Sequence, residues 1–564
     1  MIEPRVYRAA FVPAALVFLL AMFLLERRPP ALPQGLPADV LFDGDQAAAE
    51  AARITRERPD RGPGSRGDAA VAGLVASTFA RRGFPVERDA FEYHGRELVN
   101  VVARRAGGSR RLLAVVAARD AGAAPDAGGS AADTAALLEL ARVLAGRPTR
   151  RTLVLASLDG STLGEVGTER FVRSLGDPDE VDAVLVLSNL GATRRRGSLL
   201  VPWSGDARRV GIGLERTAAD SIRLESEEPV GGTGTTGQLI RMALPLGIGA
   251  QGVLLERGFE SVRISGSGEL PAGDPRRVDS DRLGDLGRAA LRTVTALDRG
   301  GRPAHGPRTY VTAVSQVLPG WVLTLLGGAL LLPALLAAVD AFARARRRHE
   351  PVARWGRWIA AWLAAPLGAL VVFELLALVG ATPDPPPAAP APGDLPLGAA
   401  GTAVMVASLA GGALAWWLAR RLAMRPESEL ADPSAKGAGC ALALALVATV
   451  LAVWLVNPFA ALLLIPSAHL WTLAVLLDSP RRRLRGLLVA LGALPPLLAL
   501  TYYLIVLRLD PVSGAWYLLL LVTGGAVALP AARLGCIWLA LLAAAPAAAA
   551  AAPAAAPPPG DDGP

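Results

Sequence analysis

Carboxylates are the groups in the first half of this sequence whose type and spacing could do chemistry. Asp120, Asp126 and Asp133 fall within one short stretch, and Glu165 follows. Oxygen ligands at such spacing suit a hard cation such as Ca²⁺. The plainer reading of these candidate cleft acids is solvated loop residues at the carboxyl edge of a sheet. Zinc chemistry would ask for imidazole as well. The chain has only four histidines, His94, His305, His349 and His469, with none between the first two. Ser161 follows Asp159-Gly160 where a nucleophile could be imagined, but no neighbouring histidine activates it. The Gly/Thr-rich segment GGTGTTG (231–237) lacks the lysine of a phosphate loop and reads as a flexible loop. Two further ionisable groups, Glu374 and His469, lie inside hydrophobic runs, where such groups are costly and often functional. A neutral Glu374, or a His469 hydrogen-bonded within a bundle, is the bland reading.

The elements that must position the soluble acids are short apolar runs. LLAVVA (112–117), LVLASL (153–158), VDAVLVL (181–187) and SVRIS (261–265) read as strands, with amphipathic helices at 69–82 and 131–144 between them. Continuous apolar strands alternating with helices predict a mostly parallel sheet covered on both faces. The fold class is therefore an α/β domain joined to an all-α polytopic transmembrane bundle.

Bulk composition demands the second part. The chain is 52% hydrophobic over 564 residues, with a mean hydropathy of +0.38. Residues 9–25 are unbroken apolar chain between Arg5, Arg8 and Arg27, Arg28, with no small-residue cleavage site after them, and read as an uncleaved anchor. Further spans fall near 316–340, 357–381, 397–419, 437–456, 458–477, 486–507, 514–531 and 534–552, the last two as separate spans or as one re-entrant hairpin. The expected domains are an anchor over 1–28, a linker over 29–37, a soluble domain over 38–305, a bundle of about eight helices over 316–552 and a disordered tail over 553–564.

Arginine placement sets the expected orientation. Arg344, Arg346, Arg347, Arg348, Arg354 and Arg357 crowd one loop; Arg420, Arg421, Arg425 and Lys436 a second; Arg481, Arg482, Arg483 and Arg485 a third. The alternate connections, such as TPDPPPAAPAPGDLP (382–396), are nearly uncharged. The positive-inside bias then puts the N-terminus in the cytoplasm and the soluble domain outside it. The net charge of +8 thereby reads as topology and lipid contact, with no nucleic acid as partner. Cys440 and Cys536 both lie in hydrophobic runs, so the soluble part has no disulfide.

Within residues 50–300 the order of several stretches resembles metallopeptidase family 28, the di-zinc aminopeptidases. The matching positions are Arg61, Gly64 and Ser65, then Gly83, Phe84 and Val86, then Asn100 and Val101, followed by LLAVVAARD (112–120), TAALLELARVLAG (134–146), RRTLVLASLDG (150–160) and GTERFV (167–172). The resemblance implies an aminopeptidase-like sandwich and two zinc ions about 3.5–4 Å apart, with a carboxylate base for the water between them. It also implies where the ligands should stand. The His-x-Asp falls on Ala118 and Asp120, the bridging aspartate on Gly129, the paired glutamates on Ser161 and Thr162, the next aspartate on Ser188, and the last histidine on Leu270. Only Asp120 can bind metal. The expected state is a degenerate site with no catalytic residue, no metal and no cofactor.

One anchor, a peptidase-like domain short of zinc ligands and a multi-span bundle are also similar in layout to the large accessory subunit of the glycosylphosphatidylinositol transamidase. The expectation is a membrane-anchored, inactive peptidase-like protein that binds or scaffolds, with the bilayer, another membrane or extracytoplasmic subunit, and a peptide or headgroup as partners. The alternative is a membrane-bound zinc metallopeptidase with an atypical metal site. A transporter, which would show several broken polar spans around a midplane site, comes third.

Overall fold

A computed structural model describes residues 4–34, 41–122, 125–301, 307–313, 316–384, 386–423, 437–476 and 482–551. Part of the linker, the tail over 553–564, and the side chains of Arg425, Lys436 and Arg481 lie outside the described residues.

The soluble domain is built on a seven-stranded sheet. Its strands are β2 (Val86–Tyr93), β3 (Arg96–Arg105), β4 (Leu112–Ala118), β5 (Thr152–Leu158), β6 (Val181–Ser188), β7 (Leu200–Val201) and β8 (Ser261–Ser265), in the order β2-β3-β5-β4-β6-β8-β7. The centre, β5-β4-β6-β8, is parallel, while β2, β3 and β7 add antiparallel margins. The four apolar runs of the sequence are these central strands, buried on both faces, which is why they carry no alternation. One face packs under helices 44–57, 66–81, 132–144, 212–225 and 280–299. The other packs under the shorter helices 166–175 and 250–256. After β4 the chain places β5 on one side of it and β6 on the other. A switch in direction of this kind opens a crevice beyond the carboxyl end of β4, the usual site of ligands in open α/β sheets.

A second, three-stranded antiparallel sheet joins the domain to its membrane segments. It pairs β1 (Glu26–Arg27) with β10 (Gln316–Pro319), and β10 with β9 (Tyr310–Ala313). β10 runs straight into the first long apolar helix at Gly320.

Six described helices are long and apolar enough to cross a bilayer: Gly320–Arg347, Val352–Leu378, Ala399–Leu422, Ala438–Val456, Pro458–Leu476 and Arg483–Val506. They correspond to the first six expected bundle spans. The last two runs form shorter apolar helices, Pro511–Thr523 and Pro530–Ala545. The N-terminal run forms the apolar helix Tyr7–Phe23, with a turn at Ala10 and Phe11 between the regular segments Pro4–Ala9 and Val12–Phe23. Pro13 lacks the N–H that a continuous helix would use there and is tolerated in the first turn of the second segment. Large apolar side chains such as Leu16, Phe18, Leu375, Leu409, Leu455 and Ile505 stand exposed on these helices. Such a surface suits lipid tails.

Candidate functional site at the carboxyl ends of the strands

Chain leaving a parallel strand carries N–H groups that no neighbouring strand can accept from, and here carboxylates accept them. Asp120, two residues beyond β4, takes the Ser161 N–H at 3.0 Å, the Thr162 N–H at 3.0 Å and the Thr162 Oγ1 hydroxyl at 2.9 Å. It is only 2% exposed. Ser161 and Thr162 begin a single 3₁₀ turn after β5, so two of the degenerate positions serve as donors to a third. Asp133, on the first turn of the 132–144 helix, accepts the Asn189 and Leu190 N–H groups at 2.8 and 2.9 Å, just past Ser188 at the end of β6. Burial pushes Asp133 up to about 8, against the lowering effect of those two bonds.

Asp126 sits at φ 44° and accepts the Ser130 N–H at 2.8 Å. A Cβ on Gly129 would lie 2.3 Å from its Oδ1, so the loop closes over the carboxylate only with glycine there. Leu270 is buried and contributes its carbonyl, which accepts from Asn189 Nδ2 at 3.2 Å and Ser267 Oγ at 2.5 Å. Glu165 begins the 166–175 helix from a left-handed conformation, φ 63°, and its Oε2 accepts the Thr168 hydroxyl at 2.6 Å. Burial raises Glu165 to about 7, and the nearby charges of Asp120 and Asp394 add to the rise.

The reading of these acids as solvated is therefore corrected. Asp120, Asp133 and Glu165 are buried and engaged, the two aspartates by N–H groups left over at element ends and Glu165 by the Thr168 hydroxyl. Ala118 closes β4 and offers only a methyl group. Among the described residues no three His, Cys, Asp or Glu side chains are arranged to hold a metal ion. The set Asp120, Asp126 and Asp133 does not fit Ca²⁺, whose ligands must be free to converge on one point.

Two arginines lie beside the crevice, Arg119 with no sequence signal of its own and Arg61 at a position the resemblance had marked. Arg119, within the Ala-Arg-Asp segment, is fully buried and pairs with Asp68 at 2.7 Å and Asp159 at 3.1 Å. It also donates to the Ser157 carbonyl at 3.1 Å and to the Val99 carbonyl. Arg61 is equally buried and reaches Ser130 Oγ at 3.0 Å and the Arg119 carbonyl at 3.3 Å. These two guanidiniums bind β3, β4, β5 and the 126–131 turn together from below the crevice.

The Pro-rich connection 382–396 comes from the bundle and lies over the mouth. Gly164, with φ +81°, leaves room for Pro386 and Pro387, which a Cβ would meet at 2.7 Å. Gly122 likewise faces Asp394, whose Oδ1 a Cβ would meet at 2.8 Å. Tyr517, from the shorter 511–523 helix, holds the connection by donating to the Pro390 carbonyl at 2.7 Å. Asp394 is raised to about 6 by burial, then by the charges of Asp120 and Asp126. A loop that read as an uncharged spacer thus carries an acid to the candidate site.

Of the two intramembrane groups, His469 is hydrogen-bonded as expected. Its Nδ1 meets the Tyr7 hydroxyl at 2.6 Å, its Nε2 meets the Leu330 carbonyl at 2.8 Å, and its ring stacks on Phe11 at 5.4 Å. It ties the N-terminal apolar helix to the helices Gly320–Arg347 and Pro458–Leu476. Glu374 is half-buried and makes no hydrogen bond or ion pair with a described residue.

No protein-family model and no curated protein matches this sequence. Solved structures do resemble it in part. A zinc aminopeptidase from Bacillus subtilis is 12% identical with a TM-score of 0.37, covering 45% of this chain and 94% of its own. A glutaminyl cyclase from Fimbriiglobus ruber is 15% identical with a TM-score of 0.34, covering 48% and 99%. LapB of Legionella pneumophila is 16% identical with a TM-score of 0.40, covering 49% and 78%. Each of these likenesses covers about half of this chain.

Proposed function

We propose that this chain is a multi-pass membrane protein whose peptidase-like domain binds without cutting, as a binding or scaffold subunit of an extracytoplasmic complex. One observation carries the reading. The carboxylates at the strand ends are spent on backbone N–H groups of the fold itself, Asp120 on Ser161 and Thr162, and Asp133 on Asn189 and Leu190. A zinc pair needs those lone pairs, and imidazole as well. The 382–396 connection narrows the mouth further, which suits a bound segment or headgroup better than a freely exchanging substrate. Arginine-rich loops on alternate sides support an N-terminus in the cytoplasm and a domain outside it. The layout is similar to that of the accessory peptidase-like subunit of the transamidase named above.

A second reading, a metallopeptidase with an atypical metal site, draws on Glu165. A buried carboxyl raised to about 7 near other acids is what a general base requires. The deciding experiment is metal content of the full-length protein in detergent after exposure to zinc and removal of the excess, with aminopeptidase turnover measured on the same sample. Zinc far below one ion per chain and no turnover are expected. Tight binding of one or two ions, with hydrolysis, would overturn the binding-only reading.

A further inference from the structure

The Gly/Thr-rich segment 231–237 forms one wall of a cavity remote from the crevice. The cavity has a volume of about 330 Å³ and is lined by Arg28, Trp203, Arg209, Glu215, Arg223 and the segment Gly231 to Thr235, among others. That is the size of a small-molecule site. Three guanidiniums face one carboxylate, so the lining has an excess of positive charge.

The three arginines are not equivalent. Arg209 is held rigidly by Glu215 at 2.6 Å and Gln238 at 2.8 Å, with its guanidinium over the rings of Trp203 and Tyr310 at 4.8 and 4.7 Å. Its Nε, buried, has no acceptor. Arg223 pairs with Asp220 at the rim. Arg28 makes no hydrogen bond or ion pair with any described residue, although its Nε is shut off from solvent. Leaving such a donor unmet is unfavourable by an amount comparable to a lost hydrogen bond. The opposite wall adds donors. The 235–243 helix opens at Gly234 with no side chain capping its first turn, and Gly234 and Thr235 line the cavity. An oriented helix start and a guanidinium together favour a tetrahedral oxyanion.

Location narrows the source. Arg28 lies a few residues past the end of the anchor helix at Phe23, and Thr312, also in the lining, lies shortly before the first long apolar helix at Gly320. The cavity is therefore lined in part by chain that leads into the apolar helices. We propose that it binds a phosphate group carried on a small ester, with Arg28 meeting the charge and the 231–235 loop donating to the remaining oxygens. A lipid headgroup and a free phosphoester share that chemistry.

The test is the melting temperature of the full-length protein in uncharged detergent, titrated with inorganic phosphate, glycerol 3-phosphate or dihexanoyl phosphatidic acid below its micelle concentration. Potassium chloride at matched ionic strength is the reference. At least one phosphoryl compound is expected to raise the melting temperature saturably above chloride. Arg28→Gln weakens that response roughly tenfold or more, as loss of a charged donor does, each response being read against the variant's own unliganded melting temperature because Arg28 also feels the charge of Glu215. Arg27→Gln, an equal charge change at an exposed neighbour, keeps the response. A response confined to the acylated compound assigns a lipid headgroup, and an equal response to glycerol 3-phosphate assigns a soluble ester. No response above chloride, a response that survives Arg28→Gln, or equal weakening by Arg27→Gln overturns the proposal.

Discussion

Asp394→Asn should tighten the hold of the 382–396 connection on the domain at neutral pH. Asp394 is brought from the bundle side against Asp120 and Asp126, and its carboxyl rises from 3.8 to about 6 when the loop docks. The docked state therefore holds its proton better than the free loop does. Docking is strongest below the free value, and the advantage is lost as pH rises through the docked value. A shift of about two units corresponds to about 3 kcal/mol against docking once both states are ionised. Most of the change falls between pH 4 and 6, but about 1.4 kcal/mol, a factor of about ten, separates pH 5 from pH 7.5. Partial exposure of the carboxyl lets water screen some of this, so the figure is an upper bound. Hydrogen exchange of the Asp394 and Leu395 amides, which donate to Ala391 and Pro392, reads the docking directly after correction for intrinsic exchange rate. Wild-type protection should fall several-fold from pH 5 to pH 7.5, and the asparagine variant should keep its protection at both. Protection independent of pH in the wild type, or weaker in Asp394→Asn at pH 7.5, would refute the electrostatic argument.

Other perturbations test the packing around the crevice. Arg119→Met strands Asp68 and Asp159 as buried charges, and should lower stability by about 3–5 kcal/mol in denaturant titrations of the full protein. Gly129→Ala drives a methyl group into the Asp126 carboxylate and should cost about 1–3 kcal/mol, visible as a lower melting temperature. Tyr7→Phe removes the hydroxyl bonded to His469 and should cost about 1 kcal/mol; faster protease cleavage within the anchor-to-domain connection is the readout. Glu165→Gln keeps the bond to Thr168 yet cannot ionise, so relative to the wild type it should gain stability as pH rises from the free value of 4.5 to about 7 and hold that gain above.

The central sheet was legible because four apolar runs without alternation leave few options besides buried parallel strands. The six long apolar helices were legible for the same reason, since length and hydropathy are local properties. The N-terminal apolar run reappears as the apolar helix Tyr7–Phe23, while the turn just before Pro13 was not legible, because proline changes the backbone without changing hydropathy. The fate of the acids was not legible. Asp120 finds its donors at Ser161 and Thr162, and Asp133 finds its own at Asn189 and Leu190. Those pairings exist only after the sheet has formed. Counting acids by spacing suggested solvated groups, whereas closure of the strand ends buries them. The docking of 382–396 was further out of reach, because a proline-rich spacer carries no periodicity to say what it will touch.

The small sheet that joins Glu26 and Arg27 to Val317 and Gln316 also sets an order of events during biosynthesis. β1 leaves the ribosome directly behind the anchor, but its partner strand follows roughly 290 residues later. At about 5–20 residues per second, that is a wait of roughly 15–60 s. For that interval the nascent chain holds an unpaired strand edge close to the membrane. The α/β domain has time to fold as a loop hanging from the anchor, and the closing strand arrives together with the first long apolar helix. Insertion of that helix and closure of the domain's base thus become a single step. A chain truncated before Gln316 would leave the base of the domain open.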